Sequence, residues 1–145
     1  MSQERDERFM RLAIAQAHLS PPAESAYCVG CVIVKDDQVI STGYSRELPG
    51  NTHAEQCALM KLDMHAQGAE LYTTMEPCSV RLSGNKPCVE SCIQGQVARV
   101  IVGVMEPAKF VQCEGVRLLQ EKGIQVDLLH GLEAECLAPN KHLDV

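Results

Sequence analysis

From Glu7 to Leu19, apolar Met10, Ala13, Ile14 and Ala17 recur at helical spacing with charge on the opposite face, so the segment predicts an amphipathic helix. Pro21 and Pro22 end it. The pattern then changes. Val29 to Val34 is a β-branched run and Gln38 to Gly43 is a second strand pattern. Joined by Asp36-Asp37, the two read as a hairpin. Ser45 to Thr52, holding Pro49, Gly50 and Asn51, is a loop. His53 to Met64 carries Ala54, Cys57, Ala58, Met60 and Leu62 and predicts a buried helix with Thr52 as its N-cap. Glu70 to Thr74 is a short strand. A turn-rich stretch, Ser79 to Lys86, leads through Pro87 into a short helix from Cys88 to Gln94. Arg99 to Met105, with Val100-Ile101-Val102 at its centre, is the strongest strand. Gly115 to Lys122 is an amphipathic helix ended by Gly123, and Ile124 to Leu129 is the last strand. The tail from Leu132 to Val145 begins helically and frays at Pro139-Asn140.

A hairpin followed by strand–helix alternation implies an α/β fold: a mixed five-stranded sheet between two helical layers, α/β/α. The 145 residues fill one such domain, 1–145. No apolar run is long enough to span a bilayer, and the opening MSQERDER lacks the apolar segment of a secretory signal, so neither membrane nor export is expected. A net charge of −6 disfavours nucleic acid as a partner, whereas a small phosphorylated ligand needs only two or three local cations. Eight cysteines in a chain of this kind, several inside apolar runs, point to a reducing, cytoplasmic setting. Most of the thiols then pack as small hydrophobes and a few hold metal.

The chemistry concentrates in His53-Ala54-Glu55, Pro77-Cys78 and Pro87-Cys88. Imidazole and thiolate are preferred zinc ligands, and a helix N-terminus favours the thiolate at Cys88. His53 and Glu55 are too close in sequence for both to bind one ion, which leaves Glu55 to act on a ligand of that ion. Three protein donors, His53, Cys78 and Cys88, leave a fourth position open, the pattern of a catalytic zinc, at which a bound water has its pKa lowered to roughly 7. Cys92, one turn beyond Cys88, is the competitor: as a fourth ligand it closes the site and makes it structural. A ligand there has to reach back about 5 Å along the helix axis. Cys28 and Cys31 read as core and strand packing, and Cys57 as core beneath the site.

These motifs resemble the cytidine deaminase-like zinc deaminases, whose His-x-Glu and Pro-Cys signature uses the Glu as a proton shuttle. Nine residues, Ser79 to Pro87, separate the two cysteines here, where compact members have two. That interval, together with Glu47 to Leu59 and Thr73 to Ser79, resembles the fungal pyrimidine deaminases of riboflavin biosynthesis. The resemblance implies hydrolytic deamination of 2,5-diamino-6-ribitylamino-4(3H)-pyrimidinone 5′-phosphate, one zinc per chain, no fused reductase and a homodimer. It further implies that Asn51 and the Ala54 backbone hold the pyrimidine edge. Arg46, Arg81 and Lys86 are the loop cations for the phosphate, with Ser79 and Asn85 adding polar contacts. The alternatives are another deaminase of the superfamily, acting on a free base, nucleoside or tRNA adenosine, or a non-catalytic zinc-stabilised module. A scaffold has no use for Glu55 beside an open zinc position.

Overall fold

The computed structural model describes residues 3–23, 26–49, 52–75, 87–105 and 115–143. Helix α1 (Gln3–Ala17) precedes a hairpin of β1 (Gly30–Lys35) and β2 (Gln38–Tyr44). There follow α2 (Ala54–Met60), β3 (Glu70–Met75), α3 (Cys88–Gly95), β4 (Arg99–Val104), α4 (Gly115–Glu121), β5 (Gln125–Leu128) and α5 (Glu133–Leu137). A 3₁₀ segment, Ala138–Leu143, closes the described chain. The hairpin turns on Asp36 and Asp37, both with positive φ (53° and 63°), as a two-residue loop matching the strand twist requires. A bulge between Ile33 and Val34 adjusts the β1–β2 register.

The strands lie in the order β2-β1-β3-β4-β5. Strand β1 is antiparallel to both β2 and β3, and β3, β4 and β5 run parallel. It follows that β2 also points the same way as β3. The sheet is therefore mixed and five-stranded, as the order of elements implied.

Two apolar clusters, one per face, make the layers. Phe9, Met10, Ala13 and Ile14 of α1 and Cys136 of α5 pack on Val32, Val34, Tyr72 and Ile101. Ala54, Ala58 and Leu59 of α2, Val89 and Cys92 of α3, and Leu119 of α4 pack on Cys31, Ile33, Leu71, Val100 and Val102. Period-2 alternation sends Val32 and Tyr72 to one face and Ile33 and Leu71 to the other. The helices come close enough to demand glycine at two places. A Cβ on Gly30 meets the Ala13 carbonyl oxygen at 1.8 Å, and one on Gly43 meets that of Ala54 at 2.3 Å.

Two local expectations change. Thr52 does not cap α2: its hydroxyl donates to the Leu48 carbonyl (2.7 Å) and accepts from the Leu48 N–H (3.1 Å), closing the preceding loop. The N-cap is His53. Nor does the tail fray at Asn140. That side chain is fully buried and holds Cys28 from both sides, accepting from its N–H and donating Nδ2 to its carbonyl (3.0 Å). A buried amide that satisfies two backbone groups fixes a segment that composition alone leaves loose.

Candidate active site

Because β2 and β3 point the same way, the helix that follows each opens at the same edge of the sheet. His53, at the N-cap of α2, thus faces the first residue of α3. Its Nδ1 lies 3.3 Å from Cys88 Sγ. The His53 N–H donates to Gln56 Oε1 (3.3 Å), holding the cap in its extended conformation. Pro87 is the N-cap of α3, with φ −61° suited to a helix start. Cys88 is buried behind it.

Glu55, one residue into α2, is 3% exposed. The Thr73 hydroxyl, from the central strand β3, lies 3.1 Å from Glu55 Oε2. Cys31 stands opposite Thr73 in the β1–β3 register. Burial, and then the negative Glu55, push the Cys31 thiol well above its ordinary value, so it stays neutral beneath the site. Cys57 and Cys92 are fully buried in the α2–α3 side of the core. Cys28, Cys31, Cys57, Cys88, Cys92 and Cys136 are all free thiols.

Of the residues expected from sequence, His53, Ala54, Glu55 and Cys88 are brought to one place. Ala54 opens α2, where backbone N–H groups lack partners within the helix. Arg46 is committed elsewhere. It sits at positive φ, and its guanidinium donates to the carbonyls of Pro21 (2.6 and 3.2 Å) and Tyr27 (3.3 Å) and to the Ser20 hydroxyl (3.1 Å). Asn51, Cys78, Ser79, Arg81, Asn85 and Lys86 lie outside the described residues, as does Cys113. Thr73 was not among the expected residues. No sequence signal separates it from Thr74, the next residue of the same strand.

The donor set fits a zinc ion. With Zn–N near 2.0 Å and Zn–S near 2.3 Å, a tetrahedral centre sets an N and an S ligand about 3.5 Å apart. The imidazole and thiol of this chain already approach that separation. Among the described residues no group of three or more His, Cys, Asp or Glu side chains is arranged to hold a metal ion, and Cys78 lies outside them.

The model of the cytidine and deoxycytidylate deaminase zinc-binding region matches residues 3–104. The chain belongs to this deaminase family. Its relatives are consistent with that. It is 44% identical over 136 residues to the diaminohydroxyphosphoribosylamino-pyrimidine deaminase of Schizosaccharomyces pombe, covering 90% of this chain and 34% of that protein. Among solved structures, Acinetobacter baumannii RibD superposes with a TM-score of 0.86 at 34% identity, over 98% of this chain and 39% of that one. Aspergillus oryzae Rib2 deaminase in complex with DARIPP superposes with a TM-score of 0.84 at 33% identity, over 93% and 89%. The chain spans about a third of the length of the curated relatives it matches. These superpositions bear out the cytidine deaminase-like fold implied by the motifs. The match lies on a zinc-binding region.

Proposed function

We propose that residues 1–145 form a single zinc-dependent deaminase domain that removes the 2-amino group of 2,5-diamino-6-ribitylamino-4(3H)-pyrimidinone 5′-phosphate, an activity of riboflavin biosynthesis. Water is consumed, the ring C–NH₂ becomes C=O, and ammonia leaves. The observation that carries the reading is the approach of His53 Nδ1 to Cys88 Sγ beside a buried Glu55. It is supported by the names of the Schizosaccharomyces pombe and Aspergillus oryzae relatives.

In this reading His53, Cys78 and Cys88 hold one zinc per chain, and the bound ion supplies the Lewis acidity that makes water nucleophilic at neutral pH. Glu55 takes the proton that the attacking water loses and returns it to a ring nitrogen, then to the departing amine. Asn51 and the Ala54 backbone hold the pyrimidine edge. Arg46 already donates to Pro21, Tyr27, Ser20 and Cys28 of its own chain, so Arg81 and Lys86, with Ser79 and Asn85, carry the phosphate. A cytoplasmic location and a homodimer belong to the same reading. No described helix is long and apolar enough to cross a membrane.

Metal analysis and an ammonia-release assay test it together. The expected outcome is about one zinc per chain and release of ammonia from the ribityl pyrimidine phosphate in preference to the ribosyl form and to cytidine. Cys88→Ser loses zinc and Cys92→Ser keeps it. Equal zinc loss in both variants makes the site a closed, structural one. Zinc without ammonia release from any of the three substrates makes the chain a scaffold.

A further inference from the structure

Thr73 stands in the interior of the sheet, on a strand flanked by β1 and β4, and its side chain is fully buried. Around it the α2-side cluster is apolar: Cys31, Ile33, Ala58, Leu71, Val100 and Val102. Valine has the same shape and matches those neighbours, so packing gives no reason for a hydroxyl here. Two acceptors do. The Thr73 hydroxyl lies 3.1 Å from Glu55 Oε2 and 2.9 Å from the Met75 carbonyl oxygen. A hydroxyl carries one proton: the Met75 contact is the shorter of the two here, while a bond to an ionised carboxylate is about twice as strong as one to a neutral carbonyl, so the two acceptors compete for it.

Glu55 has three side-chain torsions, and α2, which carries it, is only seven residues long. A general acid–base group works only within hydrogen-bond reach of the atoms it serves, and an error of about 1 Å costs up to 10²-fold. The hydroxyl that meets Glu55 comes from a strand held on both sides by ladder hydrogen bonds. Side chains carried on a strand or helix of the scaffold are held more precisely than ones on loops.

We propose that Thr73 is a positioning residue for Glu55: its hydroxyl, fixed by the central strand, pins Oε2 and thereby directs the other carboxylate oxygen toward the reacting atoms. This rests on the reading of Glu55 as the proton shuttle. The Met75 contact defines the rival, in which the hydroxyl merely anchors the end of β3 where the chain leaves for Cys78.

The experiment compares Thr73→Val and Thr73→Ser with the parent enzyme in kcat, KM and zinc content. It adds urea unfolding of the zinc-loaded proteins, alone and combined with Glu55→Ala. Positioning predicts that Thr73→Val lowers kcat by between about tenfold and a hundredfold with KM and zinc unchanged, while Thr73→Ser restores kcat. It also predicts that Thr73→Val lowers the urea midpoint in the parent background and much less beside Glu55→Ala, because the partner is then already gone. Parental kcat in Thr73→Val overturns the proposal. So does an equal midpoint shift in both backgrounds, or zinc loss that accounts for the lost turnover; either assigns the hydroxyl to Met75. Glu55→Gln is the control. Should it retain turnover, the proton-shuttle reading itself fails; an inactive Glu55→Gln beside a fully active Thr73→Val removes only the positioning role.

Discussion

The two edges of one sheet treat charge in opposite ways. Where β3 and β4 begin, Arg99 donates to Asp6 (2.8 and 3.1 Å), Glu70 (2.9 Å) and Asp127 (2.6 Å). Arg5 donates to Glu70 (2.7 Å), to the Tyr72 hydroxyl (3.0 Å) and to Asp37. Tyr72 in turn donates to Asp6 (2.6 Å). Each guanidinium is answered by carboxylates in a fixed fork geometry, which ties α1 to three strands. Where β3 ends, an imidazole faces a thiol and a buried carboxylate meets a hydroxyl. At the first edge both guanidiniums are held by carboxylates of the chain itself. The second holds an imidazole, a thiol and a buried carboxylate, a donor set that suits a cation. In the proposed function, stability and chemistry are kept at opposite ends of the same strands, and changes at one end should leave the other intact.

The largest expected effect is at the second edge. Glu55→Gln keeps the size of the side chain but cannot accept a proton, so turnover should fall by about 10²–10⁴-fold. Zinc content and thermal midpoint should stay close to parental. A matching fall in midpoint would mean that the active edge also holds the fold together.

Arg99→Met is the counterpart. It strands Asp6, Glu70 and Asp127 around a vacated position, and removing one partner of a buried ionic group costs about 3–5 kcal/mol. Urea unfolding should register that loss, while kcat per folded molecule at low temperature should hold. Parental stability in this variant would show that the network is ornamental.

Asn140→Ala tests a third region, the tail. It leaves the backbone N–H and carbonyl of Cys28 unpaired, with an expected cost of about 1–3 kcal/mol. Hydrogen exchange should speed at Cys28 before it does in β3 or β4.

The smallest effect is the acid limb. Burial opposes ionisation of Asp6, but hydrogen bonds from Arg99 and Tyr72 outweigh it and hold the carboxyl below its ordinary 3.8. A group whose pKa is lower in the folded state contributes stability above its unfolded value and loses it as pH falls through the folded one. The thermal midpoint should therefore fall as the pH drops below about 4, and less steeply in Asp6→Asn. An identical acid slope in Asp6→Asn would assign the loss to other carboxylates.

What could be read in the chain beforehand follows the range of the interactions. The helix from Glu7, both hairpin strands and the Val100-Ile101-Val102 strand are set by local periodicity, and α1 merely begins a turn earlier, at Gln3. Asp36-Asp37 could be recognised as a turn because positive φ is tolerated by few residues. The N-cap of α2 could not be placed within one residue, since Thr52 and His53 compete locally and only the Leu48 contact draws Thr52 away. The tail was misjudged for a similar reason. Pro139-Asn140 looks like a terminus until Cys28, 112 positions earlier, supplies the partner for the buried amide.

By itself the sequence determined the element types and the mixed sheet and named His53, Glu55, Cys78 and Cys88 as candidates, because periodicity and donor chemistry are properties of short stretches. Only the tertiary structure decided that His53 Nδ1 and Cys88 Sγ, 35 residues apart, stand 3.3 Å from each other, and that Arg46 is spent on its own loops. It alone put Thr73 under Glu55. The common reason is that strand order and helix packing fix these distances, and neither is written within any one segment of chain.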